Sequence, residues 1–280
     1  MIAALSFIAA AALNPIECTV MTFNVRNGAA NDGPNRWEIR KSLVAEVVRK
    51  ENPDFVGLQE AFDYQVDYLL ANLSGYKMVG VGRDDGKRKG EFSAILYKHE
   101  KYEVNESGTS WLSDTPDAPG SKSWGNNIPR IYTWAEFEVK TGGELTVVNT
   151  HWDHQSQESR MKSAEAIVAR FADTERFVLM GDFNAGVTNP AYEFFRGSGL
   201  TDVYQFLHHS STEPEGTFTG FDPKKTDGER IDHIFCDPGV DVKSARIVRW
   251  SFGGRLPSDH FPVVARLWWR GEDDGDGAMS

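Results

Sequence analysis

Apolar residues recur along this chain in two patterns, one typical of strands and one typical of helices. Short apolar runs bounded by polar residues predict strands, and apolar residues three or four positions apart predict the buried face of a helix. Strands are predicted over residues 19–25, 55–58, 76–81, 92–97, 101–104, 131–139, 145–150, 177–180, 231–235 and 261–268. Helices are predicted around residues 37–48, 62–73 and 161–171. This interleaving indicates an α/β fold in which helices cover sheets.

The 280 residues contain no internal repeat or low-complexity linker, so we expect one main domain over residues 18–270. Residues 1–17 begin with an apolar, Ala-rich stretch that resembles a secretory signal without its positive n-region and is too short for a transmembrane span. A signal would make the protein periplasmic or secreted; without one it would be cytoplasmic. Residues 271–280 are acidic and Gly-rich, which predicts a disordered tail.

Charge and cysteine content limit which ligands and cross-links the chain is expected to have. The chain carries 30 Lys and Arg against 41 Asp and Glu, a formal net charge of -11, which repels polyanions at long range although a local basic groove stays open. Cys18 and Cys236 lie far apart and form no CxxC pair, so neither a zinc knuckle nor a disulfide framework is indicated.

Polar side chains stand where several predicted strands end. Asn24 ends the first strand, Glu60 follows the strand at residues 55–58, and Asp182 and Asn184 follow the strand at residues 177–180. Taken singly, Asn and Asp are common in turns, and a Glu is common at the beginning of a helix. Gathered at one sheet edge, however, their oxygen atoms are the ligands that Mg²⁺ or Mn²⁺ prefers.

Histidines accompany acidic residues in three further motifs. The run Asn149-Thr150-His151-Trp152-Asp153-His154 lacks the third histidine that a dinuclear zinc hydrolase would need at Asn149. Two more motifs are Arg230-Ile231-Asp232-His233 and Ser258-Asp259-His260. A carboxylate bonded to one ring nitrogen of His260 would fix its tautomer and aim the other nitrogen at water or a phosphoryl oxygen. Arg130 suits bidentate phosphate binding or, equally, a surface salt bridge.

In this order, from Met21 to Arg266, the motifs resemble the endonuclease/exonuclease/phosphatase superfamily. The resemblance implies a four-layer α/β/β/α sandwich of two mixed, largely antiparallel sheets packed face to face, with the active site at one edge. Apurinic endonucleases usually have a tyrosine-containing segment where this chain has Asn149-Thr150-His151. The motifs look more like bacterial hydrolases grouped near deadenylases and sphingomyelinases, a heterogeneous group from which the substrate does not follow.

The resemblance also implies roles at the metal and the attacking water. By motif matching, Glu60 and Asn24 would bind or approach a Mg²⁺ or Mn²⁺ ion, and Asp259 would lie at the metal edge. Asp182 would position or deprotonate the attacking water, which Asn184 would orient.

The remaining motif residues would contact the scissile phosphate. His260, paired with Asp232, matches the family's His-Asp dyad. The resemblance leaves open whether this dyad also acts as the general base. His151, Asn184 and Arg130 would bind phosphate.

We therefore expect a metal-dependent, monomeric phosphoesterase that directs water in line at phosphorus without a covalent enzyme intermediate. The favoured substrate is a small or lipid-linked phosphodiester or phosphomonoester. A nuclease acting on DNA or RNA is the alternative, and a catalytically silent binding scaffold is a third class, which the retained reactive residues disfavour. Trp111, Trp124 and Trp152 lie near polar loops, where stacking on substrate competes with ordinary packing.

Overall fold

A computed structural model describes residues 14–271 of the protein. The predicted signal in residues 1–13 and the acidic tail from residue 272 onward lie outside the described residues. The strands are β1 (Ile16–Asn24), β2 (Phe55–Gln59), β3 (Tyr76–Val79), β4 (Ile95–Lys98), β5 (Tyr102–Trp111), β6 (Ile131–Val139), β7 (Glu144–His151), β8 (Phe177–Asp182), β9 (Thr201–Asp202), β10 (Asp232–Cys236), β11 (Val240–Ile247) and β12 (Val263–Trp269). The helices are α1 (Trp37–Glu51), α2 (Asp63–Asn72), α3 (Gln157–Phe171), α4 (Pro190–Gly197) and α5 (Val203–His208).

The strands form two six-stranded sheets, ordered β11-β12-β1-β2-β4-β3 and β5-β6-β7-β8-β10-β9. One parallel pair lies in each sheet, β1 with β2 and β7 with β8, and the other pairings are antiparallel. The predicted architecture of two mixed, largely antiparallel sheets is confirmed.

Three apolar layers explain why the central strands are apolar at nearly every position. In β2, Phe55 faces the core between the sheets, whereas the next residue, Val56, faces the layer under α1 and α2. Successive side chains of a strand point to opposite faces, so a strand covered on both faces needs apolar residues throughout. Leu179 of β8 packs likewise against Ile167 of α3 on the outside of the second sheet. The protein is therefore a four-layer sandwich.

The predicted elements are present, but their grouping and extent differ in places. The strand predicted at residues 101–104 overlaps the beginning of β5, which pairs with β6 in the other sheet and not with β4. The chain thus crosses between sheets within a short turn after β4, a long-range choice that local periodicity does not encode. Helices α4 and α5 and the edge strand β11 were not predicted, because each is short or carries little apolar periodicity.

Two further features concern the core and the helices. Cys18 and Cys236 are free thiols buried between the sheets, and burial raises the pKa of both thiols well above the ordinary value. Across residues 14–271, none of the helices combines the length and the apolar character needed to cross a bilayer.

A buried polar cluster lies beside β10. Asp202 caps α5 by accepting hydrogen bonds from the backbone of Tyr204 and Gln205 through Oδ1. Its Oδ2 accepts from Arg230 Nη1 at 2.7 Å and from the Tyr192 hydroxyl at 3.0 Å. The guanidinium holds the pKa of Asp202 well below its ordinary range, although burial opposes this shift most strongly. The cluster therefore keeps one buried carboxylate ionised and fully paired.

Replacing Tyr192 with phenylalanine is expected to lower the free energy of unfolding by about 1.5–3 kcal/mol, the usual value of a hydrogen bond to a charged group. The substitution leaves the ring in place and removes only the donor to Asp202. Urea unfolding would measure the change. The matched control is Tyr64→Phe, a tyrosine whose side chain is largely exposed, for which we expect a change within about 0.5 kcal/mol. Equal losses in the two variants would contradict the prediction.

Candidate active site

The ends of the parallel strands bring the predicted site residues to one edge of the sandwich. Asn24 is the last residue of β1, and Glu60 follows β2 in the same sheet. In the second sheet His151 ends β7 and lies opposite Asp182, the last residue of β8, which in turn lies opposite Asp232 of β10. Ligand sites in α/β proteins form at the carboxyl ends of parallel strands, as here.

Three residues at this edge adopt the left-handed backbone conformation that side chains usually avoid. The φ angles are 57° at Arg26, 61° at Glu60 and 47° at Asn184. Such a conformation costs about 1–3 kcal/mol for a residue with a side chain and is common at functional sites. Hydrogen bonds hold two of these turns, from Arg26 N to Asn24 Oδ1 at 2.9 Å and from Asn184 N to Asp182 Oδ1 at 3.0 Å. The strain turns Glu60 and Asn184 into the cavity that both residues line.

Acidic side chains converge around Asn24. Its Nδ2 donates to Glu60 Oε1 at 3.1 Å and to Asp182 Oδ2 at 2.8 Å. The amide of Asn24 thus joins two carboxylates by hydrogen bonds. Burial, and then the neighbouring Asp232 carboxylate, raises the pKa of Asp182 to about 7. The arrangement concentrates negative charge that a bound cation would stabilise.

Two histidines flank Asp182 with opposite protonation. His260 Nε2 lies 3.8 Å and His151 Nε2 lies 3.6 Å from Asp182 Oδ2. Burial disfavours the charged form of His260, but Asp232, 2.8 Å from its Nδ1, and then Asp182 outweigh it and raise its pKa well above the ordinary value. Burial, assisted by Arg130, lowers the pKa of His151 well below the ordinary value. The site therefore holds one cationic and one neutral imidazole.

The donor set fits a divalent cation. Ligand atoms of Glu60, His151 and Asp182 lie within 4.8 Å of one another, as do those of Asp182, Asp232 and His260. Oδ1 of Asp232 is buried and has no hydrogen-bond partner among residues 14–271. A carboxylate oxygen without a hydrogen-bond partner suits a hard cation better than a soft cation that prefers thiolate ligands.

Arg26, which the sequence reasoning overlooked, closes the acidic side of the site. Its guanidinium bonds Asp32 at 2.9 Å and lies 3.6 Å from Asp259 Oδ2 and 4.0 Å from Glu60 Oε2. Asp259 thus lies at the Glu60 side of the cluster, as its motif predicted, but paired to a cation of the protein itself. Arg26 lies close to Asn24 in the sequence. A basic residue so near the expected metal ligands was the signal that could have identified Arg26.

The reactive groups line a cavity of about 440 Å³. Arg130 is buried in its wall and forms a salt bridge with Asp153, so the alternative of a salt bridge holds but its expected place at the surface does not. Its Nε lies 3.3 Å from Asp153, its Nη2 donates to His154 Nδ1 at 2.9 Å, and its Nη1 has no partner within the described part of the chain. Among the described residues, one donor of this buried guanidinium is therefore left without a hydrogen-bond partner in the wall of the cavity. The cavity is lined by Arg26, Asn27, Ala30, Glu60, Glu91, Ile128, Arg130, His151, His154, Asp182, Asn184, Phe218, Ile231, Asp259 and His260.

The structure gives the three candidate tryptophans packing contacts. Trp152 is buried against Phe183 and Phe195, and Trp111 donates from Nε1 to the carbonyl of Arg83. Trp124 donates to Asp114 Oδ1, and none of the three belongs to the cavity lining. The aromatic residue that does line the cavity is Phe218, which sequence reasoning did not select.

Comparisons with known proteins agree with this geometry. The model of the Endonuclease/Exonuclease/phosphatase family matches residues 21–260. A solved family protein from Bacteroides thetaiotaomicron is 37% identical, with a TM-score of 0.85 and coverage of 91% of this chain and 99% of that chain. A mannosyl-6-phosphatase from the same organism is also 37% identical, with a TM-score of 0.81 and coverage of 89% and 98%. The CCR4-Not complex 3'-5'-exoribonuclease subunit Ccr4 of Mycosarcoma maydis is 26% identical, over 62% of this chain and 33% of that protein.

Sequence, fold and site together define a hydrolase of phosphate esters. The chain belongs to the Endonuclease/Exonuclease/phosphatase family. Enzymes of this family generally depend on a divalent cation, for which the cluster around Asp182 offers suitable ligands.

Proposed function

We propose that the protein is a phosphomonoesterase that acts on phosphorylated sugars. The observation that carries this proposal is the single cavity that joins the site of the reactive groups to a polar wall containing Glu91 and Arg130. A cavity of about 440 Å³ suits a small ester, and the net charge of -11 disfavours a long polyanion. The 37% identity to a mannosyl-6-phosphatase supports a sugar phosphate as the substrate class.

In this proposal each residue keeps a defined task. Glu60 would hold Mg²⁺ or Mn²⁺, with Asn24 hydrogen-bonded to it and Asp259, which pairs with Arg26, at the same edge of the site. The ion would supply neutralisation of the phosphoryl charge when bound. Asp182 accepts the proton of the attacking water, because burial and the neighbouring Asp232 carboxylate raise its pKa and so make it a stronger base than an ordinary carboxylate. Asn184, held beside Asp182 by its backbone hydrogen bond, orients the water.

In this proposal the phosphoryl group is bound by the N–H donors that line the same cavity. His260 donates from Nε2 to an oxygen that gains negative charge, while Asp232 on Nδ1 fixes the ring and its tautomer. Arg130, in the wall of the cavity, and His151, at the end of β7, would contact the same group. These residues stabilise the charge of the transition state by position, without forming a covalent bond to phosphorus.

The test is a phosphate-release assay of the purified protein with Mg²⁺, with Mn²⁺ and with EDTA. Substrates are mannose 6-phosphate, p-nitrophenyl phosphate, bis-p-nitrophenyl phosphate, sphingomyelin, and single-stranded DNA and RNA. We expect cation-dependent release, abolished by EDTA, with the highest kcat/KM on the hexose phosphate. Faster cleavage of any diester would refute the proposal.

A nuclease is the second candidate, favoured by one observation. Phe218 lines the cavity with 41% of its surface exposed, and its ring lies 5.2 Å from that of His260. Lys225 lies 4.6 Å from the same ring. An exposed aromatic ring beside a cation can stack a base next to a phosphate. Shortening of the DNA or RNA in the same assay, with little hexose phosphate cleaved, would support this candidate.

A further inference from the structure

One buried carboxylate in the cavity has no task in the hydrolysis described above. Glu91 precedes β4, is 9% exposed and lines the same cavity as Asp182 and His260. Burying an ionised carboxylate is costly unless charged or hydrogen-bonding groups compensate it. Burial indeed raises the pKa of Glu91, and the Arg83 guanidinium opposes that shift. The fold thus holds a carboxyl group, paired with Arg83, in a place where the hydrolysis does not require one.

Two neighbours fix the direction of this carboxylate. Arg83 Nη1 lies 2.7 Å from Glu91 Oε2, and Asn27 Nδ2 donates to Oε1 at 2.9 Å. A carboxylate has about four acceptor positions, so these two contacts leave each oxygen able to accept another hydrogen bond. The contacts hold the group still, which reduces the entropy that a ligand must lose on binding.

The charge of Glu91 also determines which part of a substrate it can meet. A phosphate group would be repelled by the carboxylate, whereas hydroxyl groups would donate to it. His260 and Arg130, whose N–H groups suit phosphate, line the same cavity. The cavity therefore contains both a set of donors for an anion and a fixed acceptor for neutral donors.

We infer that Glu91, held by Arg83 and Asn27, binds hydroxyl groups of the sugar from which phosphate is released. This inference rests on the proposed sugar phosphatase activity and extends it by assigning the residue that distinguishes a polyhydroxylated leaving group from an apolar one. A site built to bind a hydroxyl rejects an analogue without it, because its own polar groups are then left unpaired.

A purely structural task for Glu91 makes a different prediction. Asn27, which bonds Glu91, also donates its backbone N–H to Glu60 Oε2 at 2.8 Å. If Glu91 served only to position Asn27 and Glu60, its loss would weaken cation binding and reduce turnover of every ester alike. Selectivity between two matched esters separates the two tasks.

The experiment compares mannose 6-phosphate with n-hexyl phosphate, a primary phosphomonoester without hydroxyl groups. For the wild type and Glu91→Gln, kcat and KM are measured on both esters, together with Mn²⁺ affinity and the thermal midpoint. We expect the ratio of kcat/KM values, hexose over hexyl, to fall about 10- to 100-fold in the variant, chiefly through KM, as for loss of a hydrogen bond to a charged group. Glu91→Asp, which keeps the charge but withdraws it, is the second variant should Glu91→Gln fail to fold, and its ratio should fall in the same direction.

The control is Glu106→Gln, an exposed residue of β5 that is not among the residues lining the cavity, for which we expect an unchanged ratio within about twofold. If the wild type releases phosphate from neither ester, the proposed function fails and this inference fails with it. If the wild type cleaves hexose phosphate but the Glu91 variants keep its selectivity, only this inference is overturned. Equal losses of kcat/KM on both esters, together with weaker Mn²⁺ binding, would also overturn it. That result would show that Glu91 positions Asn27 and Glu60.

Discussion

Replacing Asp182 with asparagine is expected to lower kcat by about 10²–10⁴-fold, the usual contribution of a general base. The amide has nearly the same shape, but it cannot accept the proton of the attacking water. Asp182 is central to the site, because Asn24, His151 and His260 all approach its Oδ2. The measurement is steady-state release of phosphate from the best substrate at saturating Mg²⁺ or Mn²⁺.

The control for the Asp182 variant is the thermal midpoint, compared with that of the exposed Glu106→Gln variant. A folded Asp182→Asn protein with kcat near that of the wild type would remove Asp182 from the mechanism.

In EDTA, the pH dependence of the free energy of unfolding tests the raised pKa of Asp182. Its pKa is raised in the folded state, so ionisation costs stability as pH rises from about 3.8 toward 7. The variant should therefore gain stability relative to the wild type across that interval, which urea unfolding at several pH values would measure.

The predictable part of this site is the part that lies at strand ends. Asn24, Glu60 and Asp182 each follow an apolar run, and the order of those runs decides which ends meet. A strand buried on both faces is visible in sequence as a continuous apolar segment, so a polar residue at its end is conspicuous. The family resemblance then suggested tasks for these residues, and the structure places them close together.

Residues of the cavity wall were not predictable, because loops bring them to the site through long-range pairing. An isolated bridge between Ala61 and Phe92 places Glu91 near Glu60. A second bridge, between Phe218 and His260, places Phe218 beside the catalytic histidine. Neither loop has the periodicity of a helix or strand, so its partner is decided by tertiary packing alone.

The sheet to which β5 belongs was not predictable either, because β4 and β5 lie in different sheets. The turn between β4 and β5 resembles an ordinary antiparallel connection, and the apolar residues on either side suit either sheet. Pairing of β5 with β6 over Tyr102 to Trp111 is the interaction that draws the strand into the second sheet. Local sequence thus determined that a strand forms there, whereas long-range pairing with β6 determined its sheet.

Replacing His260 with alanine is expected to lower kcat by about 10²–10³-fold, the usual cost of removing a donor from the developing charge of a transition state. Its Nε2 is the cationic donor at the reactive side of the cavity, and Asp232 maintains that charge. Asp232→Asn should cost less, because the ring remains and an amide oxygen can still accept from Nδ1. Steady-state kinetics at saturating cation would measure both losses.

The double variant, Asp232→Asn with His260→Ala, decides whether the pair acts as a unit. If Asp232 acts through His260, the double variant should be about as slow as His260→Ala alone, because Asp232 then has no imidazole to orient. Multiplication of the two losses would instead show that Asp232 contacts the water, the cation or the phosphate directly. Its buried Oδ1, which has no hydrogen-bond partner among residues 14–271, is the atom that such a contact would use. A single variant of either residue cannot distinguish these two tasks, whereas the cycle of four proteins can.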